Sequence, residues 1–354
     1  LDDLLFSPDG KFLYLVDDGG GAIPYDVASG TPLRQKVEFG TLSRFGFSRA
    51  LAVAADGHAV AVAGRKILAA NAGAPASELH WVRLIEGASG KELLAIEHVV
   101  PLLDRARLAL KGSDYPVAVA LSPDGKTLAL GGEGAVWLHD AASGRELHRI
   151  ELTDDVAAGV GFSPDGRLLA ISGSRDFSIR LMDAASGKQR AILANPKVLE
   201  QSTSIGRTVG GYSKVAFMPD GRRLIATSSR GSLRLIDLDR GDTVRFMGGQ
   251  TDRTHRIAAS RDGRKLAVAG QFGNMIRVWN FDHGRPGATF AMHTGAIQGM
   301  TFMPDNRHGV SWTANGEVRL WDAATGRVIR SFDHRNANKG QALDSAKCGK
   351  LVFI

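Results

Sequence analysis

Apolar residues in this chain come in short runs bounded by turn residues: LAVAA (51–55), VAVAL (117–121), TLAL (127–130), LLAI (168–171) and GVGF (159–162). Runs of this length predict strands, and the clusters of Ser, Pro, Asp and Gly between them predict tight turns. No segment of helical length carries a convincing 3.6-residue period, so almost no helix is expected. Two phrases recur along this pattern. One is a strand followed by a turn: VRLWDAATG (318–326), IRLMDAASG (179–187), VWLHDAASG (136–144) and LRLIDLDRG (233–241), with looser copies at 276–284, 82–90 and 22–30. The other precedes it and reads SPDG at 7–10, 122–125 and 163–166, MPDG at 218–221, SRDG at 260–263, MPDN at 303–306 and AADG at 54–57. Ser-Pro-Asp-Gly suits a type I turn: Ser is favoured at the first position, Pro presets φ at the second, and Gly closes it.

Each unit therefore reads strand, SPDG turn, strand, loop, strand, Ser/Thr-Gly turn, strand. Four strands in about 40 residues is the period of a propeller blade. The stretches FSPDGRLLAISGSRDFSIRLMDAASGK (162–188) and MHTGAIQGMTFMPD (292–305), followed by ANGEVRLWDAATG (314–326), resemble the WD-repeat (tryptophan–aspartate) β-propeller family, and the likeness runs along nearly the whole chain. The resemblance implies an all-β propeller of four-stranded antiparallel blades, with units at about 1–34, 48–97, 115–152, 156–193, 212–248, 253–292 and 295–333. Residues 340–354 read as the start of another unit, so eight blades with the last incomplete is the preferred count and seven the alternative. The chain starts LDDLLFSPDG and stops at LVFI, and it reads as a piece of a longer polypeptide.

The repeats are degenerate. Trp holds the signature position only at Trp279 and Trp321, replaced elsewhere by Met182, Ile236, His139, Ile85 or Tyr25. The resemblance implies a His/Ser/Asp/Trp hydrogen-bond network in the last full unit, drawn from His293, Ser311 or Thr313, Asn315 and Trp321, while the other units rely on packing. The acid after the signature position (Asp26, Glu86, Asp140, Asp183, Asp237, Asp322) is expected to accept local backbone hydrogen bonds in its turn. An Arg recurs two residues before that position (Arg83, Arg180, Arg234, Arg277, Arg319), too regularly for a site. Its stem is expected to pack between blades with its head near solvent. His139 is expected to be a partly buried strand residue.

Composition narrows function by exclusion. The net charge is +7, but the basic residues are scattered, without the clustering that makes a nucleic-acid footprint, so no nucleic-acid partner is expected. No apolar run approaches the roughly 18 residues of a membrane span, which predicts a soluble chain. Whether that chain is cytoplasmic or exported is not legible in this sequence. A single cysteine, Cys348, excludes an intramolecular disulfide and a cysteine-rich zinc site. HExxH, GxSxG and P-loop motifs are absent. The strands nearest the axis, such as YPVAVAL (115–121) and HRIAAS (255–260), are small and apolar, without the repeated Asp, Glu or His that a metal at the axis needs. No catalytic residue, metal ligand or cofactor is therefore assigned.

What remains is asymmetry. Insertions fall at 34–48, 66–79, 98–116 and 194–211, and strand alternation sends all four to one face while the short turns occupy the other. Insertions on one face of a repeat array commonly serve binding. The resemblance implies partner contacts from positions near the start of each inner strand: Phe47, Arg49, Tyr115, Arg253, His255, Gln298, Lys339 and Gln341. The expected function is a non-catalytic scaffold that binds another protein, or another domain of the same polypeptide, through this face. The alternative is a small-molecule or metal-dependent propeller enzyme, such as a lactonase-like hydrolase.

Overall fold

The structure is a computed structural model and describes residues 3–7, 11–16, 21–26, 37–38, 50–54, 58–68, 77–87, 89, 91–101, 118–174, 176, 178–193, 212–228, 233–240, 243–247, 254–270, 274–280, 285–291, 293–313 and 315–333. All regular structure among them is β-strand, in antiparallel sheets whose strands follow chain order. The first sheet holds β1 (Asp3–Phe6), β2 (Phe12–Val16), β3 (Gly21–Asp26) and β4 (Val37–Glu38), and the second holds β5 (Ala50–Val53), β6 (Ala59–Leu68), β7 (Ser77–Glu86) and β8 (Glu92–Pro101). A seven-stranded sheet follows: β9 (Ala118–Leu121), β10 (Thr127–Gly131), β11 (Glu133–Asp140), β12 (Glu146–Phe162), β13 (Leu168–Gly173), β14 (Ile179–Asp183) and β15 (Gln189–Ile192). It is two blades fused through one strand: β12 pairs with β11 by its first part and with β13 by its last.

Three more four-stranded sheets complete the described fold: β16 (Tyr212–Phe217) to β19 (Thr243–Met247) through β17 (Arg223–Ser228) and β18 (Leu233–Asp237); β20 (Thr254–Ala259) to β23 (Arg285–Ala291) through β21 (Lys265–Gly270) and β22 (Met275–Asn280); and β24 (Ile297–Phe302) to β27 (Val328–Asp333) through β25 (His308–Thr313) and β26 (Glu317–Asp322). The first strand of one blade neighbours that of the next at most steps, while β20 meets the preceding blade at β17; this is the propeller arrangement, and β1 lies beside both β5 and β24. Among the described residues no helix is long and apolar enough to cross a membrane.

The apolar runs read nearly continuously because a blade buries both faces. Along β10 and β11, Leu128, Leu130, Ala135 and Trp137 pack towards the second blade, against Ala61, Ala63, Val82, Leu84 and Ile96. The alternate residues Ala129, Val136 and Leu138 pack the other way, against Leu169, Ile171 and Met182. Side chains alternate with period two, so a sheet covered on both sides needs apolar residues at every position. Full burial of one such leucine contributes about 1.5–3 kcal/mol.

The turns form as their sequences predict. In the SPDG turns Ser122, Ser163 and Ser260 accept through Oγ the backbone N–H of Thr127, Leu168 and Lys265 at 2.8–2.9 Å. The same hydroxyls donate to Asp124, Asp165 and Asp262 at 2.5–2.6 Å. The closing glycines take positive φ, and in the MPDN variant Asn306 does so at 57°, which Asn tolerates better than most residues. At the other short turn Asp140, Asp183 and Asp322 accept N–H and hydroxyl bonds from Ser143, Ser186 and Thr325. An ion pair with Arg190, together with the Ser186 bonds, holds Asp183 down at about 2.

The second blade departs from the expectation that 66–79 is a loop insertion. β6, β7 and β8 each run for ten residues, against four to six for the corresponding strands β13, β14 and β15. Residues 66–68 and 77–79 are paired strand, with Leu68 opposite Ser77 and Ser77 opposite Pro101. The extra residues lengthen this ribbon by about 13–20 Å at 3.3 Å per residue.

Candidate functional site

The sequence-predicted contact positions fall unevenly on the structure. Phe47, Arg49, Tyr115, Arg253, Lys339 and Gln341 lie outside the described residues. His255 and Gln298 are the second residues of β20 and β24, two neighbouring inner strands. Each is the extra residue of a β-bulge: Thr254 pairs with Gly270 and Arg256 with Ala269, leaving His255 out of the ladder, and Gln298 is skipped likewise between Ile297 and Gly299. The same shift occurs at Ala158 and at Ser213. A bulge repeated at one place on four inner strands is a built feature, because bulges bend a strand and are frequent beside functional sites. Composition alone carried no signal for it.

The bulges sit at the starts of inner strands, on the edge where each blade's second-to-third connection also turns. On that edge the β6–β8 ribbon ends, and two residues from its end Val99 is 61% exposed beside Leu79.

A second constellation joins the ribbon to the third blade. His98 on β8 lies with its Nε2 2.9 Å from Nε2 of His139 on β11. The two rings are 5.0 Å apart, and the His98 ring stacks on Trp137 at 4.6 Å and 13°. His139 Nδ1 is 3.1 Å from the carbonyl of Gly144 in the following turn. Glu146 opens β12 directly across from His139, so the DAASG turn itself brings the carboxylate to the imidazole. One donor atom from each of His98, His139 and Glu146 falls within 4.8 Å of the others.

His80 pairs with His98 in register and lies 5.9 Å from Trp137. Gly132 leaves the room that His80 occupies, since a Cβ there would run into the ring. His139 is buried as expected of a strand residue, His98 is half-buried, and Glu146 is exposed. Burial, reinforced by the charges of His139, His80 and Arg149, lowers His98 to about 4. His139 is also lowered, by burial, against the opposing bond to Gly144.

In the last described blade the expected network forms, with one change of member. His293 Nε2 lies 2.7 Å from Ser311 Oγ, and Trp321 Nε1 donates to the same oxygen at 3.2 Å. The acid on the far side is Glu317, 3.1 Å from His293 Nδ1, while Thr313 and Asn315 bond to each other. His293, Ser311 and Trp321 are buried. Burial lowers the pKa of His293 despite the opposing pull of Glu317. The nearby charge of Arg319 adds to the lowering.

The recurrent arginines are more engaged than packing alone requires. Arg83 pairs with Glu97 at 2.6 Å, and Arg180 bridges the buried Asp155 and Asp176.

Comparison with known proteins points one way. The family model for the WD domain, G-beta repeat matches residues 148–183. The chain is 27% identical over 112 residues to cilia- and flagella-associated protein 52 of Chlamydomonas reinhardtii, covering 31% of this chain and 18% of that one. It is 28% identical over 166 residues to WD repeat-containing protein 82 of Drosophila melanogaster, covering 45% and 48%. With the guanine nucleotide-binding protein subunit beta of Oryza sativa subsp. japonica it shares 25% over 157 residues, 41% of each chain. The chain thus spans less than half the length of each of these relatives. The matched repeat, the SPDG and Asp-turn chemistry in blade after blade, and the His293–Ser311–Trp321 relay point the same way: the chain carries degenerate repeats similar to the WD domain, G-beta repeat.

Proposed function

We propose that the protein is a non-catalytic interaction platform whose loop-rich edge holds another protein or another domain of its own polypeptide. One observation carries this reading: the end of the lengthened β6–β8 ribbon, the repeated inner-strand bulges and the long connections share one edge of the sheets. Among the described residues the opposite edge carries the SPDG and Asp-turn connections. Large exposed apolar residues such as Val99 suit an interface core once it is covered. One relative is named as a subunit, the guanine nucleotide-binding protein subunit beta, and a yeast relative as a target of rapamycin complex subunit, which agrees with a role in an assembly.

Phe47, Arg49, Tyr115, Arg253, His255, Gln298, Lys339 and Gln341 are the contact positions in this reading, since aromatic residues and Arg dominate interface hot spots. The ring is proposed to close with seven blades, because β1 lies beside both β5 and β24. The unit boundaries given above, with the whole stretch as one propeller, belong to the same proposal.

The test uses the full chain as bait, followed by binding measurements with the purified captured protein. The double substitution Arg49→Glu/Arg253→Glu is expected to raise Kd at least about tenfold, the scale of one hot spot. The control pair Lys126→Glu/Arg167→Glu, on the short-turn edge, is expected to leave Kd within about twofold, as for interface-remote residues. Equal loss from both pairs, or from neither, contradicts the assignment of the edge.

A further inference from the structure

We propose that His98, His139 and Glu146 bind a divalent transition-metal ion of the zinc class, at the junction of the second and third blades. The donor set argues for that class. Two imidazoles and one carboxylate suit zinc, cobalt or nickel, whereas calcium and magnesium take oxygen ligands. Three protein ligands leave a fourth position for water, and the exposure of Glu146 keeps the site open to solvent on that side.

The ligands are positioned before any ion arrives. A carbonyl only accepts, so the 3.1 Å contact with Gly144 puts the His139 proton on Nδ1 and turns the Nε2 lone pair towards His98. Holding the far nitrogen of a ligating imidazole on a backbone carbonyl is the usual outer-shell arrangement of metal sites. Stacking on Trp137 orients the His98 ring, and the cross-strand register fixes Glu146 opposite His139.

In the metal-free molecule His98 Nε2–H donates to His139 Nε2, the arrangement that the 2.9 Å separation requires. Binding replaces that bond: the His98 proton moves through solvent to its Nδ1, and both Nε2 lone pairs turn to the ion. Tetrahedral zinc sets its donor atoms about 3.3–3.6 Å apart. The two imidazoles therefore open by about half an ångström, and the exposed Glu146 arm, whose carboxylate lies within 4.8 Å of the ring nitrogens, closes onto the ion. The bound ion clasps β8, at the root of the lengthened ribbon, to the β11–β12 hairpin of the next blade. This site lies on β8, β11 and the start of β12, away from the axis of the ring, and does not depend on the scaffold reading.

The experiment titrates chelator-treated full chain, carried on a histidine-free tag, with Zn2+ by calorimetry and with Co2+ by visible absorption. The expected result is one ion per chain and an intense four-coordinate Co2+ band. Glu146→Gln, at an exposed position, and His98→Gln are each expected to weaken binding at least about tenfold, since losing even an outer-shell partner costs 10–100-fold. Their metal-free thermal unfolding should match that of the parent protein, which separates lost binding from lost folding. Absence of stoichiometric binding overturns the proposal. So does binding by both variants that equals the parent, because the ion would then sit on other histidines.

Discussion

Two places among the described residues set histidine against tryptophan, and they are built to opposite ends. In the last described blade His293, Ser311 and Trp321 form a closed relay: every member is buried, Ser311 is shared between ring and indole, and Glu317 covers the far nitrogen. At the junction of the second and third blades, His98 and His139 face each other rather than a serine. There Trp137 offers only its ring face to His98, and the carboxylate lies in solvent. The same residue types thus give a saturated structural lock in one place and an open donor set in the other. What separates them is connectivity. The lock ties strands within one blade and its leading segment, whereas the open set bridges two blades.

The comparison breaks most sharply under truncation. Trp321→Ala removes a fully buried indole packed against Phe290 and Phe302 and is expected to cost about 3–5 kcal/mol, read from urea denaturation. His98→Ala in the metal-free protein removes a half-buried ring and is expected to change stability by less than about 1 kcal/mol. Equal losses would mean that the junction is a structural lock too. Gly132→Ala sharpens the same point, since its methyl must displace the His80 ring beside Trp137. An overpacking loss of about 1–3 kcal/mol is expected.

Acid separates the regions further. His293 has a folded-state pKa below its ordinary 6.5, chiefly through burial. The unfolded chain therefore takes up the proton first as pH falls, and the contribution of His293 is complete above 6.5 and declines below it. Burial opposes ionisation of Glu317, but hydrogen bonds from Thr294 and His293 outweigh it and leave the carboxyl lowered, so its contribution is also lost towards acid. The urea midpoint should fall between pH 7.5 and pH 5.5, and His293→Gln should flatten that dependence. A midpoint that rises on acidification contradicts the buried neutral ring.

Much of this was legible in the chain. The SPDG and DAASG turns form as read because Ser, Asp and Gly bond within a few residues of themselves, so local sequence determines them. The relay around Trp321 was legible for a similar reason, although Glu317 takes the acid position rather than Asn315, a choice set by which side chain reaches His293 Nδ1. The His98–His139 pair was not legible. It joins residues 41 apart on different blades, and nothing in EHVV (97–100) or VWLHD (136–140) announces the contact. The lengthened ribbon escaped because KIL and SEL (66–68, 77–79) flank a glycine- and alanine-rich stretch that reads as loop. Their strand character comes from pairing with each other, and for 77–79 also with β8. The bulges at His255 and Gln298 are likewise a property of register, which sequence does not spell out.

The most direct test of the account trims the loop-rich edge without touching the sheet. Leu68 and Ser77 are directly paired, so residues 69–76 can be replaced by Asn-Gly, a two-residue hairpin connection that fits this register. The shorter connection should leave the fold intact and add about 1 kcal/mol of stability through a smaller closure entropy. The measurement is the Kd of the purified captured partner for this variant. The account predicts binding at least about tenfold weaker in a protein that melts no lower than the parent; an unchanged Kd in an equally stable protein would contradict it.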